Sequence, residues 1–298
     1  MAATIIDGKK ISDEIKAELA IKIDKLKKSG ITPGLTAILV GNNPASESYV
    51  KSKAKACAKI GVYSEVIRRS AEVSQKELED IVKELNRRHD IDGILVQSPL
   101  PTHIDELAIT LLIHPEKDVD GFHPYNVGLM LLGRPIFLSC TPYGVMELLR
   151  RYNIDPSGRE VVIVGRSNIV GKPLGAMLIQ KQKMANATVT ICHSQTANIK
   201  EVCRRADILV AAMGRPQFIK ADMIKNGAIV IDVGINRVED QKEERGYKIV
   251  GDVDYEGCFD RASFITPVPG GVGPMTIAML LTNTVLSATR RANNWRIG

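Results

Sequence analysis

The chain has 298 residues, 44% of them hydrophobic and 25% charged, so it can bury a large core, and its length predicts two domains. A net charge of +6 arises from 40 basic and 34 acidic residues that are interspersed along the chain. This distribution argues against nucleic-acid binding and suits a protein that binds an anionic small molecule. The five cysteines never have CxxC spacing and the five histidines form no HExxH, which argues against a disulfide framework and against a metal enzyme.

The N-terminal sequence MAATIIDGKK has no apolar signal-peptide region, and no window reaches about eighteen consecutive apolar residues. The sequence contains neither an internal repeat nor a low-complexity segment. We therefore expect a cytoplasmic protein without a membrane span.

Hydrophobic periodicity and turn residues divide the chain into alternating helices and strands. In the first half the predicted elements are a helix over 8–28, a strand over 35–40, a helix ending near 60, a helix from the capping box Ser74/Glu77 to about 88, and a strand over 93–97. After a turn at 155–158 the pattern restarts, with strands over 161–164, 188–191, 208–212 and 228–233 separated by helices. This alternation predicts two α/β domains, each with a largely parallel sheet covered on both faces.

The segment GRSNIVGKP, residues 165–173, lies where a predicted strand gives way to a helix, and such a turn directs free N–H groups at an anion. It does not fit a Walker A loop, because five residues separate Gly165 from Gly171 and Pro173 stands where a magnesium-binding hydroxyl is needed. It also departs from the strict GxGxxG fingerprint, although the strand, tight turn, helix and following strand are those of a Rossmann-type domain. The alternative is a glycine turn that merely reverses the chain, with Arg166 in solvent.

The end of the following predicted strand, which reads ICHS, bears on the choice of nucleotide. An NAD enzyme usually places an aspartate or glutamate there against the ribose 2′-hydroxyl, and this segment has neither. Arg166 and Ser194 could instead hold a 2′-phosphate. The sequence therefore favours NADP over NAD.

Two further segments at the ends of predicted elements are candidates for ligand binding. The loop TPVPGGVGPMT, residues 266–276, contains three glycines and three prolines and precedes a helix. A loop with so few side chains lets a ligand lie against the backbone, an interpretation we favour over a rigid interdomain turn. Gln97 ends a buried strand at the sheet edge where α/β proteins usually bind ligands.

Tyr49 and Lys53 stand at i, i+4 and share one face of the second predicted helix, where a ring could stack on a flat substrate beside an amine. Periodicity alone nevertheless favours solvated lysines at positions 51, 53, 55 and 59. In EKDVDGF, Asp118 and Asp120 could bind a cation as a pair, or could simply serve a turn.

Five segments taken together resemble one family. They are YVKSKAK at 49–55, QSPLP at 97–101, PEKDVDG at 115–121, GRSNIVGKP at 165–173 and PVPGGVGPMT at 267–276. In sequence and in order they resemble the bifunctional methylenetetrahydrofolate dehydrogenase/cyclohydrolase family, and the resemblance extends from IIDGK at 5–9 to DVGIN at 232–236. Ser98 departs from the pattern, since the family more often carries leucine there.

The resemblance implies NADP-dependent oxidation of 5,10-methylenetetrahydrofolate to the 5,10-methenyl form, followed by hydrolysis to 10-formyltetrahydrofolate, in the one-carbon metabolism that serves purine biosynthesis. It also implies roles for individual residues. Lys53 would be the main catalytic residue, acting as the base that activates water, and Gln97 would hold Lys53 by a hydrogen bond. Tyr49 would stack on the aromatic part of the folate. Asp120 would accept two hydrogen bonds from the pterin.

In the second domain the resemblance implies NADP binding by Gly165, Arg166, Ser167 and Ser194, with Ile235 near the nicotinamide. The residues implied to line the cleft between folate and cofactor are Pro269, Gly270, Gly271, Gly273 and Thr276. No metal ion is implied.

We accordingly expect a folate-binding catalytic domain of residues 1–141, joined by the C-terminal helix 274–296, and a Rossmann-type NADP-binding domain of residues 142–273. The active site would lie in a cleft between them, and by analogy with the family the protein would be a homodimer formed through its cofactor domains. Two alternatives are a P-loop phosphotransferase, against which Pro173 argues, and a non-catalytic NADP-binding protein.

Overall fold

The computed structural model describes residues 2–243 and 246–293. Over these residues the elements are, in chain order, β1 (Thr4–Ile5), α1 (Gly8–Lys28), β2 (Gly34–Val40), α2 (Pro44–Ile60), β3 (Tyr63–Arg69), α3 (Gln75–Arg87), β4 (Gly93–Val96), α4 (Glu106–Leu112), α5 (Pro124–Leu131), α6 (Cys140–Arg151), β5 (Glu160–Val164), α7 (Gly171–Leu178), β6 (Thr188–Cys192), α8 (Ile199–Arg205), β7 (Ile208–Ala211), β8 (Ile229–Asp232), β9 (Asn236–Glu239), β10 (Tyr247–Val250), α9 (Tyr255–Phe259), β11 (Phe264–Ile265) and α10 (Val272–Ala292). The predicted α/β class is confirmed, and the ends of the predicted strands differ from the observed ends by at most one residue.

The chain divides into two compact units, which we call the three-stranded unit and the six-stranded unit after their sheets. The three-stranded unit comprises Asp13–Cys140 and residues 277–293, and the six-stranded unit comprises residues 2–12 and Thr141–Thr276. This division differs from the expected domains at the N-terminus, because β1 pairs in parallel with β11 and so belongs to the six-stranded sheet. The expected helix 274–296 begins at Val272, and positions 294–296 lie outside the described residues.

The three-stranded sheet is parallel and has the order β3-β2-β4. Its central strand, β2, is buried at every residue, and Ala37 lies between Val66 and Leu95 in the register. Ile38 of β2 packs in one core cluster with Leu78 of α3. Because the strands are parallel, the segments that follow β2 and β4 meet at the same edge of the sheet, and this edge positions the site described below.

The helix that follows β2 begins and ends at residues suited to those positions. The side chain of Asn43 caps α2 by accepting hydrogen bonds from the backbone N–H groups of Ala45 and Ser46 at 2.9 and 3.2 Å. Pro44 stands at the helix start, and Gly61, with φ of +85°, ends it in the left-handed conformation that glycine adopts without strain. The end near residue 60 is confirmed, and the helix begins at Pro44.

The six-stranded sheet is parallel throughout and has the order β1-β11-β8-β7-β5-β6. The chain leaves β5 for the edge strand β6 and then returns to β7 on the other side of β5. Ligands of open α/β sheets bind beyond the carboxyl ends of the strands at such a reversal. The glycine turn that follows β5 therefore lies at the position where this fold binds ligands.

The last helix, α10, is long and apolar enough to cross a membrane by length and composition, but 61% of its most apolar segment is buried inside the protein. Its buried residues include Asn283 and Ser287, whose side chains donate hydrogen bonds to backbone carbonyl groups of the three-stranded unit. These are the contacts of a helix packed in a protein core.

Candidate active site

Lys53 lies on the buried face of α2, with only 5% of its surface exposed. That face is formed by residues at helical spacing, which are Ser46, Val50, Lys53, Cys57 and Ile60. The lysines at positions 51, 55 and 59 are exposed. The interpretation that all these lysines are solvated is therefore wrong for Lys53. It is buried because it shares a face of the helix with buried apolar residues before and after it.

Two side chains named with Lys53 in the sequence contact its amine. The Nζ atom donates a hydrogen bond to Gln97 Oε1 at 3.1 Å and lies 4.8 Å from the centre of the Tyr49 ring. The amide nitrogen of Gln97 in turn donates to the carbonyl oxygen of Ser98 at 2.9 Å, which fixes the orientation of the amide. An ammonium group over an aromatic ring gains about 0.5–2 kcal/mol. The amide and the ring thus hold the amine in one place.

Asp120 supplies a carboxylate within electrostatic reach of this amine. Burial raises the pKa of Asp120 above its ordinary value, while the positive charge of Lys53 and a hydrogen bond with the Cys140 side chain act in the opposite direction. Cys140 is buried, and its Sγ donates to the Val119 carbonyl oxygen at 3.3 Å. Burial also raises the pKa of the Cys140 thiol well above its ordinary value. The thiol is therefore a hydrogen-bond donor in this site and not a nucleophile.

Asp118 has a different place in the same loop. Its buried carboxylate accepts hydrogen bonds from the backbone N–H groups of Phe122 and His123 at 3.2 and 2.8 Å, and from Asn126 Nδ2 at 2.8 Å. Burial raises the pKa of Asp118 to about 6. These bonds shape the turn before α5, which is the second of the two interpretations that the sequence left open.

A cavity of about 40 Å³ adjoins Asp120 in the three-stranded unit. Its wall includes the apolar side chains of Ile109 and Phe122 and the polar side chains of Ser98 and Glu106. The Ser98 hydroxyl donates a hydrogen bond to the Glu106 carboxylate. Ser98, where the chain departs from the family pattern, is therefore part of the surface that a ligand bound at Asp120 would meet.

The glycine turn after β5 depends on two close backbone contacts. Gly165 has φ of +138°, and a Cβ atom there would lie 2.1 Å from the carbonyl oxygen of Ala212. A Cβ atom on Gly171, the first residue of α7, would lie 1.9 Å from the carbonyl oxygen of Gly165 itself. The unusual spacing thus brings the second glycine back onto the first. The result is a tight turn whose two glycines contact each other through the backbone and which leads into a helix start, a geometry that fits a phosphate group.

Three side chains predicted to bind a cofactor lie around this turn. Arg166 and Ser194 are exposed, and their segments are adjacent, because the N–H group of Gly165 donates to the carbonyl oxygen of Cys192 at 2.9 Å. Ser167 is also exposed, and its Oγ accepts a backbone hydrogen bond within the turn at 3.1 Å. Arg166 and Ser194 therefore lie on adjacent segments that follow β5 and β6.

Two buried aspartates at the same sheet edge were missed in the sequence. Asp252 accepts hydrogen bonds from three consecutive backbone N–H groups, those of residues 213–215, at 2.7–2.9 Å. Asp232 accepts from the N–H groups of Gly234 and Asp252, both at 2.9 Å, and burial raises its pKa to about 6. These bonds fix the loops that follow β7 and β8, beside the glycine turn.

A sequence signal for these aspartates exists in the glycines beside them. A Cβ atom on Gly234 would lie 2.3 Å from Asp252 Oδ1, and a Cβ atom on Gly251 would lie 1.8 Å from Asp232 Oδ2. Each glycine in DVGIN and GDVD therefore makes room for the carboxylate of the other motif. The sequence alone does not show that the two motifs pack against each other, so this signal can be used only once their contact is known.

The second glycine loop belongs to the six-stranded unit and contains Pro269, Gly270, Gly271, Gly273 and Thr276. It packs on the first turn of α1: the carbonyl oxygen of Gly270 accepts a hydrogen bond from the N–H group of Lys9 at 2.8 Å. A Cβ atom on Gly8 would lie 1.8 Å from the carbonyl oxygen of Gly271. The glycines of this loop and of IIDGK thus serve one backbone contact.

Three of the predicted site residues are placed by contacts within the six-stranded unit. A Cβ atom on Gly273 would lie 3.5 Å from Ile235 Cδ1, so the exposed Ile235 stands directly beside the second glycine loop. The hydroxyl groups of Thr276 and Thr141 are 3.0 Å apart and share a hydrogen bond. The structure therefore gathers Lys53, Gln97, Tyr49 and Asp120 in one unit, and the two glycine loops with their neighbours in the other.

Comparison with known proteins identifies the family. The model of the tetrahydrofolate dehydrogenase/cyclohydrolase catalytic domain matches residues 6–120, and that of the NAD(P)-binding domain of the same enzymes matches residues 139–292. The chain belongs to the tetrahydrofolate dehydrogenase/cyclohydrolase family. A relative, the bifunctional protein FolD of Prosthecochloris aestuarii, is 55% identical over 292 residues, which cover 97% of this chain and 99% of that protein.

Solved structures of family members match nearly the whole chain. The bifunctional enzyme FolD, a methylenetetrahydrofolate dehydrogenase/cyclohydrolase from Campylobacter jejuni, has 51% sequence identity and a TM-score of 0.92, covering 97% of this chain and 100% of that one. The enzyme of Trypanosoma brucei, complexed with NADP and an inhibitor, has 40% identity and a TM-score of 0.93, covering 98% and 99%. The resemblance carried by the five sequence segments is thereby confirmed.

Proposed function

We infer that the protein oxidises 5,10-methylenetetrahydrofolate to 5,10-methenyltetrahydrofolate with NADP⁺ and hydrolyses the product to 10-formyltetrahydrofolate. Membership of the family supports both activities. The observation that carries the hydrolytic step is the buried amine of Lys53, which contacts Gln97 and the Tyr49 ring. Lysine is almost never fully buried without a partner or a chemical role, and water activation gives this one a role.

In the hydrolytic step, water adds to the carbon that bridges N5 and N10 of the folate while Lys53 takes a proton from the water. The C–N5 bond then breaks, N5 takes up a proton, and the formyl group stays on N10 with one proton released overall. Gln97 holds the amine through its Oε1 atom at 3.1 Å, so that the base is aligned before water attacks. A positioned base of this kind contributes about 10²–10⁴-fold to the rate.

The folate is oriented by the other two residues of this group. The Tyr49 ring, which already lies under the Lys53 amine, stacks on the aromatic part of the folate. The two carboxylate oxygens of Asp120 accept hydrogen bonds from the N–H groups of the pterin, a bidentate arrangement that fixes its direction. The assignment is supported by the place of Asp120 in the same unit as Lys53, whose positive charge acts on its carboxylate.

The carboxyl edge of the six-stranded sheet fits NADP. The turn at Gly165 and Gly171 accommodates the diphosphate, Arg166 and Ser194 bind the 2′-phosphate, and Ile235 contacts the nicotinamide. When bound, NADP⁺ supplies the hydride acceptor for the oxidation. Nitrogen lone-pair donation stabilises the cation that forms on the folate carbon, so the protein contributes alignment and no acid.

The proposal extends to the setting of the enzyme, which we assign to the cytoplasm as a homodimer formed through the six-stranded units. The strand β6 supports this assembly, because it lies at one edge of its sheet and carries Ile191 with 38% of its surface exposed. An edge strand offers backbone N–H and C=O groups that a second copy can pair with.

The first test is a direct assay of both reactions. Purified protein is mixed with 5,10-methylenetetrahydrofolate and either NADP⁺ or NAD⁺, reduced nucleotide is followed by absorbance, and methenyltetrahydrofolate decay is followed in a separate reaction. We expect dehydrogenation with NADP⁺, a preference for NADP⁺ over NAD⁺, and hydrolysis of the methenyl compound. A protein that binds NADP⁺ but turns over neither folate would be a binding protein, and the proposed function would be wrong.

The assignment of Arg166 to the 2′-phosphate predicts a selective loss. Replacing Arg166 by glutamine removes one charge-assisted hydrogen bond, worth about 1.5–3 kcal/mol, so the KM for NADP⁺ should rise about 10- to 150-fold while the KM for NAD⁺ stays unchanged. Lys183→Gln is the matched control. Lys183 is an exposed cation in the segment before β6, at the amino-terminal ends of the strands, whereas Arg166 lies at their carboxyl-terminal ends. Equal effects on both nucleotides, or equal effects of both substitutions, would contradict the assignment.

A further inference from the structure

Asn283 of α10 contacts the backbone segments that lead to Asp120 and to Cys140. It is 1% exposed, and its amide nitrogen donates hydrogen bonds to the carbonyl oxygens of Val119 at 2.8 Å and Leu138 at 2.9 Å. The same nitrogen lies 3.8 Å from Cys140 Sγ. Val119 directly precedes Asp120, and Leu138 lies two residues before Cys140, the side chain that bonds Asp120. One amide group therefore joins the two segments that carry this pair.

The two segments are also packed directly on each other. Ser139 Oγ donates to the carbonyl oxygen of Gly121 at 3.0 Å. Gly121 has φ of +73°, and a Cβ atom there would lie 2.8 Å from the carbonyl carbon of Leu138. The backbone after Asp120 is thus held by residues 138 and 139, and the backbone before it is held by Asn283.

We propose that Asn283 is a positioning residue for Asp120 and thereby for the folate. The proposal rests on the proposed function, because Asn283 acts through the carboxylate assigned to the pterin. An amide nitrogen has two hydrogens, and here each is matched by one carbonyl oxygen, one on each segment. Without these two hydrogen bonds the backbone of residues 119–121 is no longer tied to α10. The Asp120 carboxylate is then no longer aligned for a bidentate contact.

This role predicts a specific kinetic result for Asn283→Ala. The KM for methylenetetrahydrofolate and the KM for methenyltetrahydrofolate should both rise about tenfold, because both reactions use the same pterin contact. The KM for NADP⁺ and both kcat values should stay within about twofold. A purely structural role would instead reduce the amount of active enzyme, so both kcat values would fall while the KM values stayed unchanged.

Ser287→Ala is the matched control on the same helix. Ser287 lies one turn further along the buried side of α10, and its hydroxyl donates to the carbonyl oxygen of Glu116 at 2.9 Å. The substitution removes a hydrogen bond from α10 to the loop that contains Asp120, but the bond is made to Glu116, four residues before Asp120. We expect a lower melting temperature for both variants and an altered folate KM for Asn283→Ala alone.

The outcomes separate the inference from the function on which it rests. If the wild-type protein turns over neither folate, the proposed function fails and this inference falls with it. If the wild type is active and the folate KM of Asn283→Ala equals that of Ser287→Ala, the positioning role alone is overturned. If Asn283→Ala does not fold, Asn283→Ser is measured in its place, since a hydroxyl can donate to one of the two carbonyls. Its folate KM should then rise, and an unchanged KM overturns the inference.

Discussion

Replacing Lys53 by methionine is expected to lower the rate of methenyltetrahydrofolate hydrolysis by about 10²–10⁴-fold, the usual contribution of a positioned general base. Methionine keeps an unbranched apolar stem on the buried face of α2 but removes the amine that contacts Gln97 and Tyr49. The unit should therefore fold. Dehydrogenation should fall by much less, because hydride transfer requires no proton transfer to the protein.

The measurement is the decay of methenyltetrahydrofolate absorbance at saturating substrate, corrected for the slow uncatalysed reaction. Lys55→Met provides the control: Lys55 is exposed on the same helix, two residues away, and the substitution makes the same chemical change. The control should hydrolyse at the wild-type rate. Full hydrolysis by Lys53→Met, with the melting temperature unchanged, would remove Lys53 from the mechanism.

The position of Lys53 shows how far patterns in a single sequence extend. The C-terminal end of α2 was predicted correctly because it depends on local chemistry: Gly61 adopts the left-handed conformation after the helix. The start, which Asn43 caps, was not assigned in the sequence. The burial of Lys53 was not predicted by periodicity, because a hydropathy pattern counts every lysine as polar. Only the resemblance to a family singled it out, and the structure shows that apolar neighbours on the same face bury it.

Several features that local patterns missed are held by partners far along the chain. The strand β1 has two residues, both exposed, and it exists because it pairs with β11, some 260 positions further along the chain. Asp232 and Asp252 are similar cases, since each is surrounded by backbone N–H groups from loops that the sequence does not link. A carboxylate in such a setting looks like an ordinary turn residue until the loops are seen together.

These long-range contacts also explain why the fold was easier to predict than its domain boundaries. Buried apolar strands give a clear local pattern, so the six predicted strands were all found, whereas the partly exposed strand β3 was not predicted. The boundary at the N-terminus depends instead on which sheet accepts a two-residue strand. Nothing in the first residues of the chain specifies that choice, because the partner strand β11 provides it.

Replacing Gly165 by alanine is expected to lower the free energy of unfolding of the six-stranded unit by about 2–6 kcal/mol. The backbone at φ of +138° is strained for any residue with a Cβ atom, at a cost of about 1–3 kcal/mol. The new Cβ atom would also lie 2.1 Å from the carbonyl oxygen of Ala212, and relieving that overlap costs about 1–3 kcal/mol more.

The overlap should also weaken NADP binding, because the clash is with backbone and cannot be relieved by a side-chain rotation. The turn has to move away from the end of β7, and Gly171, whose own Cβ position lies 1.9 Å from the Gly165 carbonyl oxygen, has to move with it. The start of α7 would then no longer be aligned with the proposed diphosphate site. We expect the Kd for NADP⁺, measured by isothermal titration calorimetry, to rise more than tenfold.

Gly158→Ala separates backbone strain from overlap. Gly158 has φ of +72°, and apart from Gly158 and its two chain neighbours no atom of the described chain lies within 4 Å of a Cβ atom built there. Alanine therefore costs only the left-handed conformation, about 1–2 kcal/mol. Chemical denaturation should therefore show a smaller loss for Gly158→Ala than for Gly165→Ala, and the Kd for NADP⁺ should be unchanged. Equal losses of stability and equal NADP⁺ affinity in the two variants would contradict this prediction. The contact between Gly165 and Ala212 would then not constrain the turn, and the close packing of the two backbones would not determine the shape of the nucleotide site.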